Sequence, residues 1–164
     1  SKTVRSGFHC CENPFECLSY YPMDGKNRFF KVEAAGDIDE DSQERIACTQ
    51  LTMLEELTPL HFAMEGMKYI INHPDRKKWK QNYRGVIVAA DEAEAMAKGN
   101  IAIARGINPM VKGPEGSILG LIVEGEQGIE QCKLFVVNAF RANKWLALKK
   151  NRELEAVINE EESN

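Results

Sequence analysis

Glycine recurs every seven residues through the middle of this chain, at Gly99, Gly106, Gly113 and Gly120, with Gly85 in the same phase two steps earlier. Small or β-compatible residues precede each in phase: Ala95-x-Ala97-x-Gly99, Ala102-x-Ala104-x-Gly106, Pro109-x-Val111-x-Gly113 and, more weakly, Gly116-x-Ile118-x-Gly120. An interior glycine costs a helix about 1 kcal/mol relative to alanine. A coil of very short strands, by contrast, needs a tight turn at such an interval. The pattern predicts a short parallel β-solenoid, a β-roll of seven-residue repeats, over residues 85–122.

The flanking segments read differently and make the expected class α+β. Residues 1–74 form a small α/β N-terminal unit in this reading. A strand is expected over 4–11, and Asn13-Pro14-Phe15-Glu16 starts a short helix with a capping Asn and a proline at the first helical position. Turn residues Pro22-Met23-Asp24-Gly25 precede a strand over 28–34, an acidic solvated loop over 37–41 and a strand over 46–54. Thr58-Pro59 repeats the cap-then-proline signal, and Leu60, Ala63, Met64, Met67, Ile70 and Ile71 keep helical spacing as far as His73-Pro74. Residues 75–84 read as a basic linker, 119–158 as antiparallel strands and 159–164 as an acidic tail. Because the chain starts at Ser1, close before its densest motif, an upstream strand is expected to be missing.

A formal net charge of −4 gives no global attraction to nucleic acid or an anionic membrane, so neither is expected as a partner. No apolar run approaches the roughly 20 residues of a membrane span. Five cysteines, an odd number without paired spacing, point to reduced thiols and a cytoplasmic protein.

The densest chemistry lies in Gly7-Phe8-His9-Cys10-Cys11-Glu12-Asn13-Pro14, with Cys17 shortly after. Zinc could use His9 and Cys17, but structural zinc sites favour ligand pairs two to four residues apart, and adjacent cysteines on a strand point to opposite faces. The cluster is expected to be structural, with no metal and no cofactor. Gly7-Phe8-His9-x-Cys11-x-Asn13-Pro14, followed by Tyr20-Tyr21, Arg28-Phe29 and Val32-Glu33-Ala34-x-Gly36, resembles an uncharacterised domain family of bacterial and phage genomes. That resemblance implies a domain order and a phage or prophage origin, and it carries no mechanism.

Two further resemblances frame the functional expectation. His9, Tyr21 and Glu33 follow the order of histidine, aromatic and glutamate in ADP-ribosyltransferases, which implies an enzyme as the alternative reading, with Glu55 or Glu56 as substitute carboxylates. The glycine-phased segment resembles the head heptads of trimeric autotransporter adhesins, which implies a homo-oligomer, with a trimer preferred. In such a roll Met96, Ile103 and Met110 form an apolar stripe, open to a symmetry mate or host protein, or else covered by the N-terminal unit of the same chain. Arg84, Lys98, Arg105 and Lys112 supply a basic edge, a ladder that could answer a nucleotide or nucleic-acid phosphate. The expected function is therefore a phage-associated oligomeric interaction protein that presents a repeated surface and does no covalent chemistry. The transferase is second and phosphate binding third.

Overall fold

Thr58 starts the α-helix as its spacing predicts: the side-chain oxygen accepts from the His61 N–H at 3.2 Å, Pro59 takes the first helical position, and α1 runs Pro59–Asn72. The computed structural model describes residues 7–41, 45–76 and 84–157. Expectations for residues 4–6, for most of the basic linker and for the acidic tail lie outside the described residues. Ahead of α1 stand β1 (Phe8–Cys10), a 3-10 helix (Pro14–Ser19), β2 (Phe29–Asp41) and β3 (Arg45–Leu57). After it come β4 (Val86–Glu94), β5 (Ile101–Lys112), β6 (Ile118–Gly125), β7 (Gly128–Val136), β8 (Leu146–Leu148) and β9 (Leu154–Ala156). No helix among the described residues is long and apolar enough to cross a membrane.

The strands make two sheets. One is antiparallel in the order β1-β3-β2; the other is mixed, in the order β7-β6-β5-β8-β9, with β4 also on β5. The expected acidic loop over 37–41 is instead the end of β2, where Ile38 pairs with Cys48 and Asp39 with Ala47. There β2 is the edge strand of the β1-β3-β2 sheet, and an edge strand accepts charges that a central one would exclude.

The protein is mainly β, and the α+β class with a solenoid of seven-residue repeats is overturned. The parallel strands β4, β5 and β6 are 9, 12 and 8 residues long, so the heptads are not the structural unit. The Ala102 and Pro109 copies run end to end within β5, and the Ala95 copy lies mostly in the turn before it. Nor is the advance between neighbours constant, since Val86 pairs with Ile101, Ile101 with Ile118, and Glu94 with Lys112. Antiparallel β7 on one side and β8 and β9 on the other close the sheet, so no coil propagates. The glycine phase has other causes. Gly99 turns the chain at φ +82°, and Gly120 leaves the room into which the Met67 side chain of α1 packs.

In the middle of the mixed sheet both faces are buried, over residues 101–105 of β5 and 118–122 of β6, as parallel strands require. Val86, Val88, Ile101, Ile103, Ile118 and Ile122 face α1 and the 3-10 helix, where they meet Phe15, Leu18, Phe62, Met67 and Ile70. On the opposite face Ala102, Ala104, Leu119 and Leu121 pack with Ala93, Val111, Val137 and Leu146. The N-terminal segment and the sheet thus share one core.

Gly66 fixes how closely α1 approaches the 3-10 helix. A Cβ there would overlap three ring atoms of Phe15, which is fully buried. In a helix Gly→Ala gains about 1 kcal/mol, while forcing a methyl into a close-packed core costs about 1–3 kcal/mol. Because the overlap is with a ring held on all sides, Gly66→Ala is expected to lower stability by about 1–2 kcal/mol in urea denaturation. A gain in stability would show that Phe15 has room to move.

Candidate functional site

Between the β1-β3-β2 sheet and the two helices lies a cleft of 570 Å³. Its floor is apolar: Phe29, Val32, Ala34, Leu51, Leu57 and Phe62. Phe62 is the keystone, 4.4 Å from the Phe29 ring and 5.8 Å edge-on from Phe15, measured between ring centroids. The opposite wall comes from the chain between β1 and the 3-10 helix, carrying Cys10, Cys11, Pro14 and Cys17. Asn13 holds that wall, because its buried side-chain oxygen accepts from the Phe15 N–H at 3.1 Å and caps the 3-10 helix. Polar groups stand at the margins, among them His9, Glu12, Glu65 and Lys31.

Arg28 also lines the cleft and donates through Nε and Nη2 to the two Glu56 carboxylate oxygens at 2.7 and 2.8 Å. These hydrogen bonds, with the guanidinium charge, hold the Glu56 carboxyl below its ordinary range. The pair is solvent-exposed and so screened; its use is to tie the foot of β2 to β3.

The thiols are electrostatically unequal. A hydrogen bond from the Cys11 thiol to the Cys17 sulfur, together with burial, pushes Cys11 up, and the same hydrogen bond draws Cys17 down. Burial, then the neighbouring Cys48 and Cys11 thiols, push Cys10 up. Pairing of Phe8 with Cys48 and of Cys10 with Ile46 puts Cys10 and Cys48 on one face of the sheet. All five cysteines carry free thiols. Among the described residues no three His, Cys, Asp or Glu side chains gather as a metal-ligand group.

Of the residues singled out in the sequence, His9 and Tyr21 line the cleft together, Tyr21 at the rim with 61% exposure. Glu33 does not line it; it pairs with Thr52 on an exposed stretch of β2. The substitute carboxylates Glu55 and Glu56 are exposed on β3. The His-Tyr-Glu set is therefore not assembled in the cleft.

The apolar stripe is split. Ile103 is fully buried beneath α1, Met110 is half-buried, and only Met96, 80% exposed, faces water. Met96 lines a second groove of 500 Å³ along the outer edge of β4, beside Glu92, Glu94 and Trp145.

The basic ladder is not a ladder either. Arg105, 4% exposed, is bound to Glu124 at 2.5 Å and donates to the Pro74 and Arg76 carbonyls at 3.0 and 3.2 Å. Lys112 lies 4.0 Å from Glu94 and 5.6 Å from the Trp145 ring centroid, while Lys98 lies alongside Gly116 and Arg84 is exposed elsewhere. The uneven advance between strands takes these cations out of register.

The cleft floor itself went unread in the sequence. Its signal is Phe30, Val32 and Ala34 alternating on one face of a strand that had no evident cover.

No curated protein and no solved structure matches this chain. Residues 1–65 match the family described as a domain of unknown function (DUF7666), and that stretch contains every residue lining the cleft.

Proposed function

We propose that this chain is a binding protein that takes a mostly apolar small molecule into the cleft between the β1-β3-β2 sheet, the 3-10 helix and α1. The observation that carries this reading is the apolar floor of a 570 Å³ concavity, a size and lining typical of small-molecule sites. Polar groups at its margins, Arg28 and Lys31 beside Glu12 and Glu65, can orient a ligand without dominating its affinity. The likeness of residues 7–14 to a family of bacterial and phage genomes supports an origin there as well. With Ile103 and Arg105 in the interior, the repeated surface no longer supports the binding role; the cleft does.

An aromatic ligand that buries roughly 250 Å² of apolar surface gains about 6 kcal/mol, a dissociation constant on the order of 50 µM. Titration with 1-anilinonaphthalene-8-sulfonate, an aromatic anion of that size, is expected to saturate at one site per chain near that value. Ala34→Trp, which fills the cleft from β2, is expected to weaken it at least about tenfold while the melting temperature stays close to that of the parent chain. Non-saturable fluorescence, or binding indifferent to Ala34→Trp in a folded variant, would sink the reading.

A further inference from the structure

We propose that the open edge of β4 is a docking site for an extended segment of a partner protein with lysine or arginine at alternate positions, which joins the mixed sheet as a further strand. The cleft, built against the β1-β3-β2 sheet, takes no part in it. Among the described residues β5 alone pairs with β4. The Ile101 N–H donates to the Gly85 carbonyl and the Ala95 N–H to the Lys112 carbonyl, both at 2.8 Å. Ile87 and, beyond the bulge at Asp91, Ala93 therefore turn their backbone groups to β5. Those of Val88, Glu92 and Glu94 point to the opposite edge, where they form a template for another chain. Met23, whose N–H donates to the Arg84 carbonyl at 2.9 Å, takes up the start of that edge and leaves the rest open. Val86–Glu94 contains none of the lysines or prolines that commonly blunt such an edge.

Charge selects the occupant. Glu92 and Glu94 are both exposed and stand two residues apart, so they share one face of β4. A strand added beside them with cations at alternate positions sets an ammonium or guanidinium against each carboxylate, as favourable cross-strand pairs do. The fold already holds one such cation there, since Lys112 Nζ lies 4.0 Å from Glu94 and 5.6 Å from the Trp145 ring centroid. The intervening side chains of the added strand turn to the other face, where Ile87 and Ala93 line the 500 Å³ groove together with Ala95 and Met96. Apolar residues at those positions fit it. A second copy of this chain does not, because β4 against β4 brings the carboxylates of both copies together along one edge, and like charges across strands are destabilising. The net charge of −4 also favours the approach of a basic partner.

A fluorescein-labelled peptide, Thr-Lys-Val-Lys-Val-Lys-Thr with blocked ends, is the probe, titrated with the full chain at low ionic strength and read by fluorescence anisotropy. Saturation at one peptide per chain is expected. Glu92→Lys combined with Glu94→Gln, both at exposed positions, is expected to weaken binding on the order of tenfold while the circular dichroism melting curve stays that of the parent chain. The same peptide N-methylated at its lysines and valines keeps its charge but cannot donate to the β4 edge, and it is expected to lose saturable binding. Equal binding of the N-methylated peptide would reduce the effect to charge attraction without strand addition and overturn the proposal. No saturable binding of the parent peptide, or binding indifferent to the two substitutions in a folded variant, would overturn it as well. So would a dimer of the parent chain that tightens in the substituted variant and excludes the peptide, since the edge would then belong to a second copy.

Discussion

Ile103→Asp is expected to leave the chain unfolded at 25 °C, while Met96→Asp, seven residues earlier and in the same sequence phase, is expected to change stability by less than about 0.5 kcal/mol. Ile103 is fully buried on the β5 face that meets Phe62, Met67 and Ile70. Truncating such a side chain costs about 2–5 kcal/mol. Placing a carboxylate there without a partner adds several more, either as desolvation or as the work of protonating it. The sum matches or exceeds the whole stability of a small domain, about 5–15 kcal/mol. Circular dichroism in increasing urea decides the matter, with Ile103→Ala, expected to fold but lose about 2–5 kcal/mol, as the measurable intermediate case. A folded Ile103→Asp chain with an unshifted midpoint would mean that α1 does not cover β5.

Arg105→Ala is expected to cost about 3 kcal/mol. Its guanidinium bridges β5 to the Glu124 carboxylate on β6 and to the Pro74 and Arg76 carbonyls after α1. Removal takes from Glu124, 18% exposed, its pair with Arg105, and losing one partner of a buried pair costs about 3–5 kcal/mol; the residual exposure of Glu124 argues for the lower end. Arg105→Lys keeps the charge but cannot span three acceptors with a compact ammonium, so it is expected to recover only part of the loss. Equal urea midpoints for parent and Arg105→Ala would show that this network adds nothing.

Local chemistry was legible where it acts locally. Asn13-Pro14 and Thr58-Pro59 announce helix starts because a cap and a proline satisfy the first turn within a few residues, and both starts stand in the structure. The glycine phase was visible but its meaning was not. A positive φ at Gly99 and a close approach at Gly120 give the same letter for unrelated reasons. The sequence spacing of Arg84, Lys98 and Lys112 could not reveal that neighbouring strands advance by unequal steps. A lone arginine inside an Ala-rich strand looks like a surface charge, and only the chain folding back from α1 makes Arg105 a buried one. In the candidate site, the concentration of thiols and His9 over residues 9–17 was plain, whereas the opposing floor required the pairing of β2 with β3 and the packing of Phe62. Glu33 shows the same limit from the other side, since one step along a strand decides which face a side chain takes.

The core shared between the helices and the mixed sheet bears on how the protein emerges from the ribosome. Segments made first commonly fold first when they can bury their own apolar surface. Here Phe15, Leu18, Phe62, Met67 and Ile70 find their cover on Val88, Ile101, Ile103, Ile118 and Ile122, all translated later. The stretch that carries the family match therefore completes its core only once β5 and β6 have left the exit tunnel.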